Sequence, residues 1–251
     1  MGTLNNKVAV VLGASGTSNF GSVIARRLAA EGAKVVVAAR RREPLEALAK
    51  DIDGLAVACD VTDEDQIAAL FGAATEAYGG VDIAVNSAGI HSGGTIAELT
   101  AEAIRPTLEI SFIGALLFFK HAAASMNSGG SVVTISSLTA RVPGEQLAVY
   151  SGARAGIDYA IKVAALEYAE KRIRFNSIAA GLIKTDMTDA FFAVDDIVNA
   201  YIVETPAGRL GTVEDMAETA LYLADESRSG FINGQVMDLS GGQQMGHLPR
   251  L

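Results

Sequence analysis

The stretch VAVVLGASGTSNFGSVIARRLAAEGAKVVVAARRRE, residues 8–43, decides the fold. It opens on a short run that is apolar without alternation and passes through Gly13, Gly16 and Gly21. It then continues with apolar residues at three- and four-residue spacing. A second run, AKVVVAA, apolar but for Lys34, follows Gly32. Short runs apolar on both faces are strands covered by helices above and below, and the spaced segment between them is an amphipathic helix. The stretch therefore reads as strand, glycine turn, helix, strand.

Working outward, the pattern recurs. GLAVACD, VDIAVNSAG, GSVVTISS, IRFNSIAAG and NGQVMDLSGG complete a set of seven strands. Helical segments such as REPLEALAKDI, EDQIAALFGAATEAYG and TVEDMAETALYLADES lie between them. Such alternation predicts an α/β fold, a doubly wound seven-stranded parallel sheet with helices on both faces and right-handed crossovers. No linker, repeat or low-complexity tract interrupts it, so residues 1–251 are read as one domain. The stretch 184–210 departs from the pattern, lacking a strand and carrying Phe191, Phe192, Val194, Ile197, Tyr201 and Ile202. Long insertions in compact domains are usually functional, and this one is read as a substrate-binding lid.

Composition narrows the function classes. With 20 Lys and Arg against 29 Asp and Glu the formal charge is −9, and no basic block stands out. Nucleic acid and anionic membrane surfaces are poor partners for such a chain. Cys59 is the only cysteine, which excludes an intrachain disulfide and fits a reducing compartment. The first residues enter a strand pattern at once, without room for a signal peptide. The longest apolar run, ISFIGALLFF, is too short to span a bilayer. The C-terminal PRL has a passing likeness to a peroxisomal address and is discounted. The expectation is a soluble, cytoplasmic protein.

The glycine turn carries the first chemistry. Glycines let the backbone approach a pyrophosphate, and the helix that follows offers free N–H groups and a favourable dipole. The plainer alternative is a tight strand-to-helix turn with no ligand. GASGTSNFG, CDVTD, VNSAG, TISS, YSGAR, NSIAAGLIKTDM, GRLGTVEDMAETALYLADE and GQVMDLSGG occur in this order over nearly all of residues 7–242. In that combination the chain resembles the short-chain dehydrogenase/reductase family, whose members use a nicotinamide cofactor on a Rossmann sheet. The glycine turn is about two residues longer than the family's usual one, as in its enoyl-reductase branch.

The resemblance implies a set of cofactor contacts. Gly13, Ser15, Gly16, Phe20 and Gly21 would form the phosphate turn. Asp60 and Val61 would flank the adenine, Asn86, Ala88 and Gly89 would line the floor, and Ile183 and Thr185 would hold the carboxamide. After the second strand, Ala39 stands where family members that use NAD carry Asp, and Arg40, Arg41 and Arg42 follow. Arginine there accommodates a 2′-phosphate through charge-assisted bonds, so NADP(H) is favoured over NAD(H), with Arg40 and Arg41 as the contacts. The alternative is that these arginines form a solvated helix start.

Ser137 and Tyr150 stand thirteen residues apart, the family's spacing for its catalytic pair. By resemblance the tyrosine gives or takes the substrate proton and the serine orients the substrate oxygen. A lysine one turn past the tyrosine would hold the cofactor ribose and favour tyrosinate, and an upstream asparagine would anchor a water chain. Here Arg154 takes the lysine's place and Ser111 the asparagine's. Bringing a tyrosine from its ordinary pKa of about 10 to neutrality takes about 4 kcal/mol. A cation about 5 Å away at an effective dielectric of about 20 supplies about 3 kcal/mol. Arginine keeps that charge and contributes to cofactor binding, but it gives up no proton. The cation survives, and the relay is impaired or rerouted.

His91 is a candidate for the substrate rim or a plain surface histidine, and His121 and His247 are assigned no role. No residues have metal-ligand spacing. The apolar lid, with Val142 and Leu147, points to a hydrophobic ketone or secondary alcohol. The leading expectation is an NADP(H)-dependent carbonyl reductase or 3-oxoacyl reductase-like enzyme. The alternative is a catalytically silent dinucleotide-binding or regulatory protein, and a third reading is enoyl reductase-like. The strongly apolar segments at 110–126 and 147–169 lead, by resemblance, to a homo-oligomer built as a dimer of dimers.

Overall fold

All seven apolar runs become strands in the computed structural model, which describes residues 2–127 and 129–245. His247 and the PRL tail lie outside the described residues. The strands are β1 (Val8–Leu12), β2 (Lys34–Ala39), β3 (Leu55–Ala58), β4 (Ile83–Asn86), β5 (Gly130–Ser137), β6 (Ile173–Ala180) and β7 (Val236–Leu239). They form one sheet in the order β3-β2-β1-β4-β5-β6-β7, with every pair parallel. The winding reverses between β1 and β4, and the crevice beyond the strand ends there is where open α/β sheets take ligands.

The helices connecting them are α1 (Phe20–Ala30), α2 (Arg42–Asp51), α3 (Glu64–Tyr78), α4 (Ala101–Leu108), α5 (Gly114–Ser125) and α6 (Ala148–Glu167). The later ones are α7 (Asp189–Phe192), α8 (Asp195–Val203) and α9 (Val213–Ala224). Strand residues alternate between two cores. Ala9 and Val11 of β1 face α1, α2 and α9, while Val10 and Leu12 face α3, α5 and α6. β1 is buried on both sides and turns no position to water, which explains its unbroken apolar sequence. Helices α7 and α8 fill the strandless stretch, whose two ends are joined by a parallel bridge between Ile183 and Gly211.

One expectation needs correction. The apolar run at 110–119 is short, but it lies within a continuous helix, Ala101–Ser125, that is long and apolar enough to cross a bilayer. Ala115, Phe118, Phe119, Ala122 and Ala123 of this helix pack into the sheet core. Its regular winding is broken by one π turn, Glu109–Ile113, between α4 and α5. There a side chain at Gly114 would begin 2.5 Å from the Val61 carbonyl oxygen, so the helix crosses the segment after β3 at close range.

Candidate active site

The glycine turn joins β1 to α1 through backbone contacts. Gly13 takes φ +90° and donates to the Ala38 carbonyl at 2.8 Å. A side chain at Gly21 would begin 2.6 Å from both the Gly13 carbonyl oxygen and Ser87 Oγ. Only a residue without Cβ lets α1 start this close to the strand ends. Asn19 caps α1 by accepting from the Ser22 N–H at 2.8 Å, and its amide donates back to the Gly13 carbonyl at 3.1 Å. Ser87 Oγ, from the segment after β4, donates to the Leu12 carbonyl at 2.7 Å and ties the two central strands together. At Gly16 a Cβ would run into Asp186, which comes over the turn from the segment after β6.

A cavity of about 550 Å³ lies across the ends of β1 to β4. Gly13, Ser15 and Phe20 line it on one side, Arg40, Arg41, Asp60 and Val61 at one end, and Ala88, Gly89 and Thr185 toward the other. The sequence-derived cofactor residues are thus largely brought together. Arg41 reaches across to the Ser15 carbonyl at 3.0 Å. Asp60 accepts from the N–H and hydroxyl of Thr62, at 3.0 and 2.8 Å. The N–H bond does most to hold its carboxyl below the usual range, and the Arg40 charge adds to it. Cys59 also lines the cavity. Burial, reinforced by Asp60 and Asp63, pushes its thiol up to about 12, so it is a neutral part of the wall.

Other expected contacts lie behind this surface. Gly16 and Gly21 shape the turn without lining the cavity. Asn86 is buried and accepts from the Ala88 N–H at 3.0 Å, so it holds the floor in place. Ile183 buries its side chain in the core and its carbonyl accepts from Thr188 Oγ1 at 2.6 Å. Sequence reasoning missed Asn19, Ser87 and Asp186. The helix-capping position of Asn19 was readable, whereas Asp186, next to Thr185 in sequence, meets the glycine turn only in the folded chain.

The catalytic candidates gather at the end of β5 and the start of α6. Ser137 closes β5, and its oxygen accepts from the Thr139 N–H at 3.2 Å and from Thr139 Oγ1 at 3.0 Å. These bonds leave its own proton to donate. Tyr150 lies in the first turn of α6. The Arg154 guanidinium stands over its ring, with Cζ 5.3 Å from the centroid. His91 packs on the ring at 5.4 Å and in turn meets Phe191 of α7 at 6.1 Å. Arg154 is 6% exposed and donates to the Ile135 carbonyl at 2.8 Å. A Cβ at Gly89 would collide with its guanidinium. Ser111 sits in the π turn, buried, with no hydrogen-bond partner for its hydroxyl. Such turns recur at functional positions in helices. Among the described residues no group of three His, Cys, Asp or Glu side chains is arranged to hold a metal.

Comparison with known proteins agrees with this geometry. Residues 13–244 match the family model described as Enoyl-(Acyl carrier protein) reductase. An uncharacterized oxidoreductase of Mycobacterium bovis is 37% identical over 246 residues, covering 96% of this chain and 98% of that protein. Carbonyl reductase family member 4 of Xenopus laevis is 33% identical over 243 residues, covering 96% of this chain and 99% of that protein. A short-chain type dehydrogenase/reductase structure from Mycobacterium ulcerans superposes with a TM-score of 0.93 at 30% identity, covering 98% of this chain and 93% of its own. Enzymes of this kind use NAD(P)(H). With its sheet order, glycine turn and matched length, the chain belongs to the short-chain dehydrogenase/reductase family and is an oxidoreductase.

Proposed function

We propose that the protein is an NADP(H)-dependent carbonyl reductase, reversible as an alcohol dehydrogenase, acting on a hydrophobic ketone or secondary alcohol. The dinucleotide fits the residues present. The turn at Gly13 and Gly21 has no room for a Cβ, and the start of α1 beside it favours phosphate. At the adenosine end Ala39 places no carboxylate at the end of β2 to repel a 2′-phosphate, and Arg40 and Arg41 line the cavity together with Asp60. Bound there, the nicotinamide supplies or takes up the hydride. Tyr150 passes its phenolic proton to the substrate oxygen in reduction and removes it in oxidation. Ser137 donates a hydrogen bond to that oxygen. Arg154 contributes a buried positive charge that favours the phenolate.

The observation that carries this reading is the Arg154 guanidinium held over the Tyr150 ring at 5.3 Å, a cation in the place of the missing lysine. The Phe191 ring, packed on the His91 ring that meets Tyr150, favours an apolar substrate. The test is NADPH titration followed by a ketone turnover screen. Tyr150→Phe should retain NADPH binding and lose about 10²–10⁴-fold in turnover. Retained turnover in that variant refutes the assignment.

A second reading, a dinucleotide-binding protein with little turnover, is favoured by the Arg154 bond to the Ile135 carbonyl, which commits one of its donors to the strand. NADPH binding with no turnover of any ketone would select it. The enoyl-reductase reading has the long glycine turn and the matched family description in its favour. It would require a tyrosine seven residues before Arg154, where Leu147 stands. The exposed Leu116, Tyr159, Val163 and Leu166 of α5 and α6 support assembly as a dimer of dimers. A monomer by light scattering would refute it. A cytoplasmic location is part of the same proposal, to be checked by fractionating cells.

A further inference from the structure

Behind the catalytic cluster lies an ionisable group with no part in the reaction as proposed. Asp158 follows Arg154 by one turn of α6, on the same face, and is only 7% exposed. Its Oδ1 accepts from Ser177 Oγ on β6 at 2.8 Å, while Oδ2 has no partner. Ser136 Oγ on β5 lies against the carboxyl without a well-directed bond, and Arg154 Nε is also unpaired. Arg154 is anchored on Ile135, the neighbour of Ser136. Two buried groups of opposite charge thus occupy adjacent turns of one helix above adjacent residues of one strand.

Burial raises the Asp158 carboxyl above the usual range, opposed by the Ser177 and Ser136 hydroxyls and by the Arg141 and Arg154 charges. Arg141 faces it from the turn after β5 and is itself paired with Asp238. Tyr150, at the other end of the cluster, is faced by Arg154 and His91.

We propose that Asp158 is a positioning residue, a buried carboxylate that offsets part of the Arg154 charge and so sets the pH at which Tyr150 gives up its proton. The inference rests on the acid/base role of Tyr150 proposed above. A guanidinium cannot shed its proton as a lysine can, so an opposite charge is the means left to tune the potential at the phenol. Asp158 stands eight residues beyond Tyr150, about 12 Å along a helix. At an effective dielectric of about 20, one charge at that distance displaces a titration by about one pH unit. The sign follows from repulsion. An ionised Asp158 disfavours tyrosinate, and its removal lets Tyr150 ionise at lower pH.

The test is an ultraviolet difference titration of tyrosinate in the full chain, with the Tyr150→Phe protein subtracted to isolate one phenol. The pH profile of kcat/KM for alcohol oxidation accompanies it. Asp158→Asn is expected to move both toward lower pH by about one unit. Ser177→Ala, which removes a donor to the carboxylate and keeps the packing, should move them the same way by less. An unmoved titration in folded Asp158→Asn overturns the proposal. Should that variant fail to fold, an unmoved titration in Ser177→Ala overturns it instead. Failure of the underlying reading looks different, because Tyr150→Phe would then keep its turnover whatever the Asp158 variants do.

Discussion

At the glycine turn the close approaches exist because side chains are absent, with Gly21 against the Gly13 carbonyl and Ser87 Oγ and Gly13 bonded to Ala38. At the Tyr150 end they run through side chains, from Arg154 to Tyr150 to His91 to Phe191. A backbone site depends on where side chains are absent, so it survives wide changes elsewhere in a sequence. A side-chain site depends on the direction of each group, and one replacement redraws it. That difference explains how this chain keeps a recognisable dinucleotide turn while Arg154 and Ser111 depart from the family's pattern.

The contrast can be broken most forcefully at Gly21. Gly21→Val forces a side chain against a carbonyl that cannot move away, and overpacking of this kind costs about 1–3 kcal/mol. A Tm lowered by about 3–10 °C is expected, together with at least about 100-fold weaker NADPH binding, read by calorimetry and fluorescence titration. Near-normal binding would show that the turn tolerates a side chain.

At the other end the obstacle is a flexible tip. Gly89→Ala should cost under about 1 kcal/mol in stability, because the Arg154 guanidinium can swing aside. Turnover should fall about 10–100-fold as the charge leaves the phenol. The slimmer side chain of Arg154→Lys should restore part of it in the Gly89→Ala background. Equal loss with either cation would mean that Gly89 acts on something other than residue 154.

The comparison can also be sharpened within the adenosine end. Ala39→Asp combined with Arg40→Ala adds a carboxylate and removes a guanidinium. It should reduce the preference for NADPH over NADH by about 10–100-fold, the size of a charge-assisted hydrogen bond. An unchanged ratio of kcat/KM for the two cofactors would remove Arg40 from cofactor selection.

Much of this architecture was legible beforehand because its signals are local. The seven apolar runs all pair as strands, and the helices begin and end close to where their apolar spacing does. Gly13 and Gly21 could be singled out because a strand running directly into a helix needs them. The segment containing Ser111 read as a short apolar run, and nothing in it revealed the π turn that leads into the close approach of Gly114 to Val61. Ile183 read as a cofactor contact, and no local pattern showed that its side chain joins the core while its carbonyl accepts from Thr188.

By itself, the sequence determined the strand count, the helical faces, the glycine turn and the thirteen-residue interval between Ser137 and Tyr150, all set by short-range sterics and periodic burial. Only the tertiary structure decided that Arg154 lies between Tyr150, Gly89 and Ile135, and that Asp158 is sealed beside Ser177. Those outcomes depend on the register of β5 and β6 beneath α6, which packing between distant segments sets and no local pattern encodes.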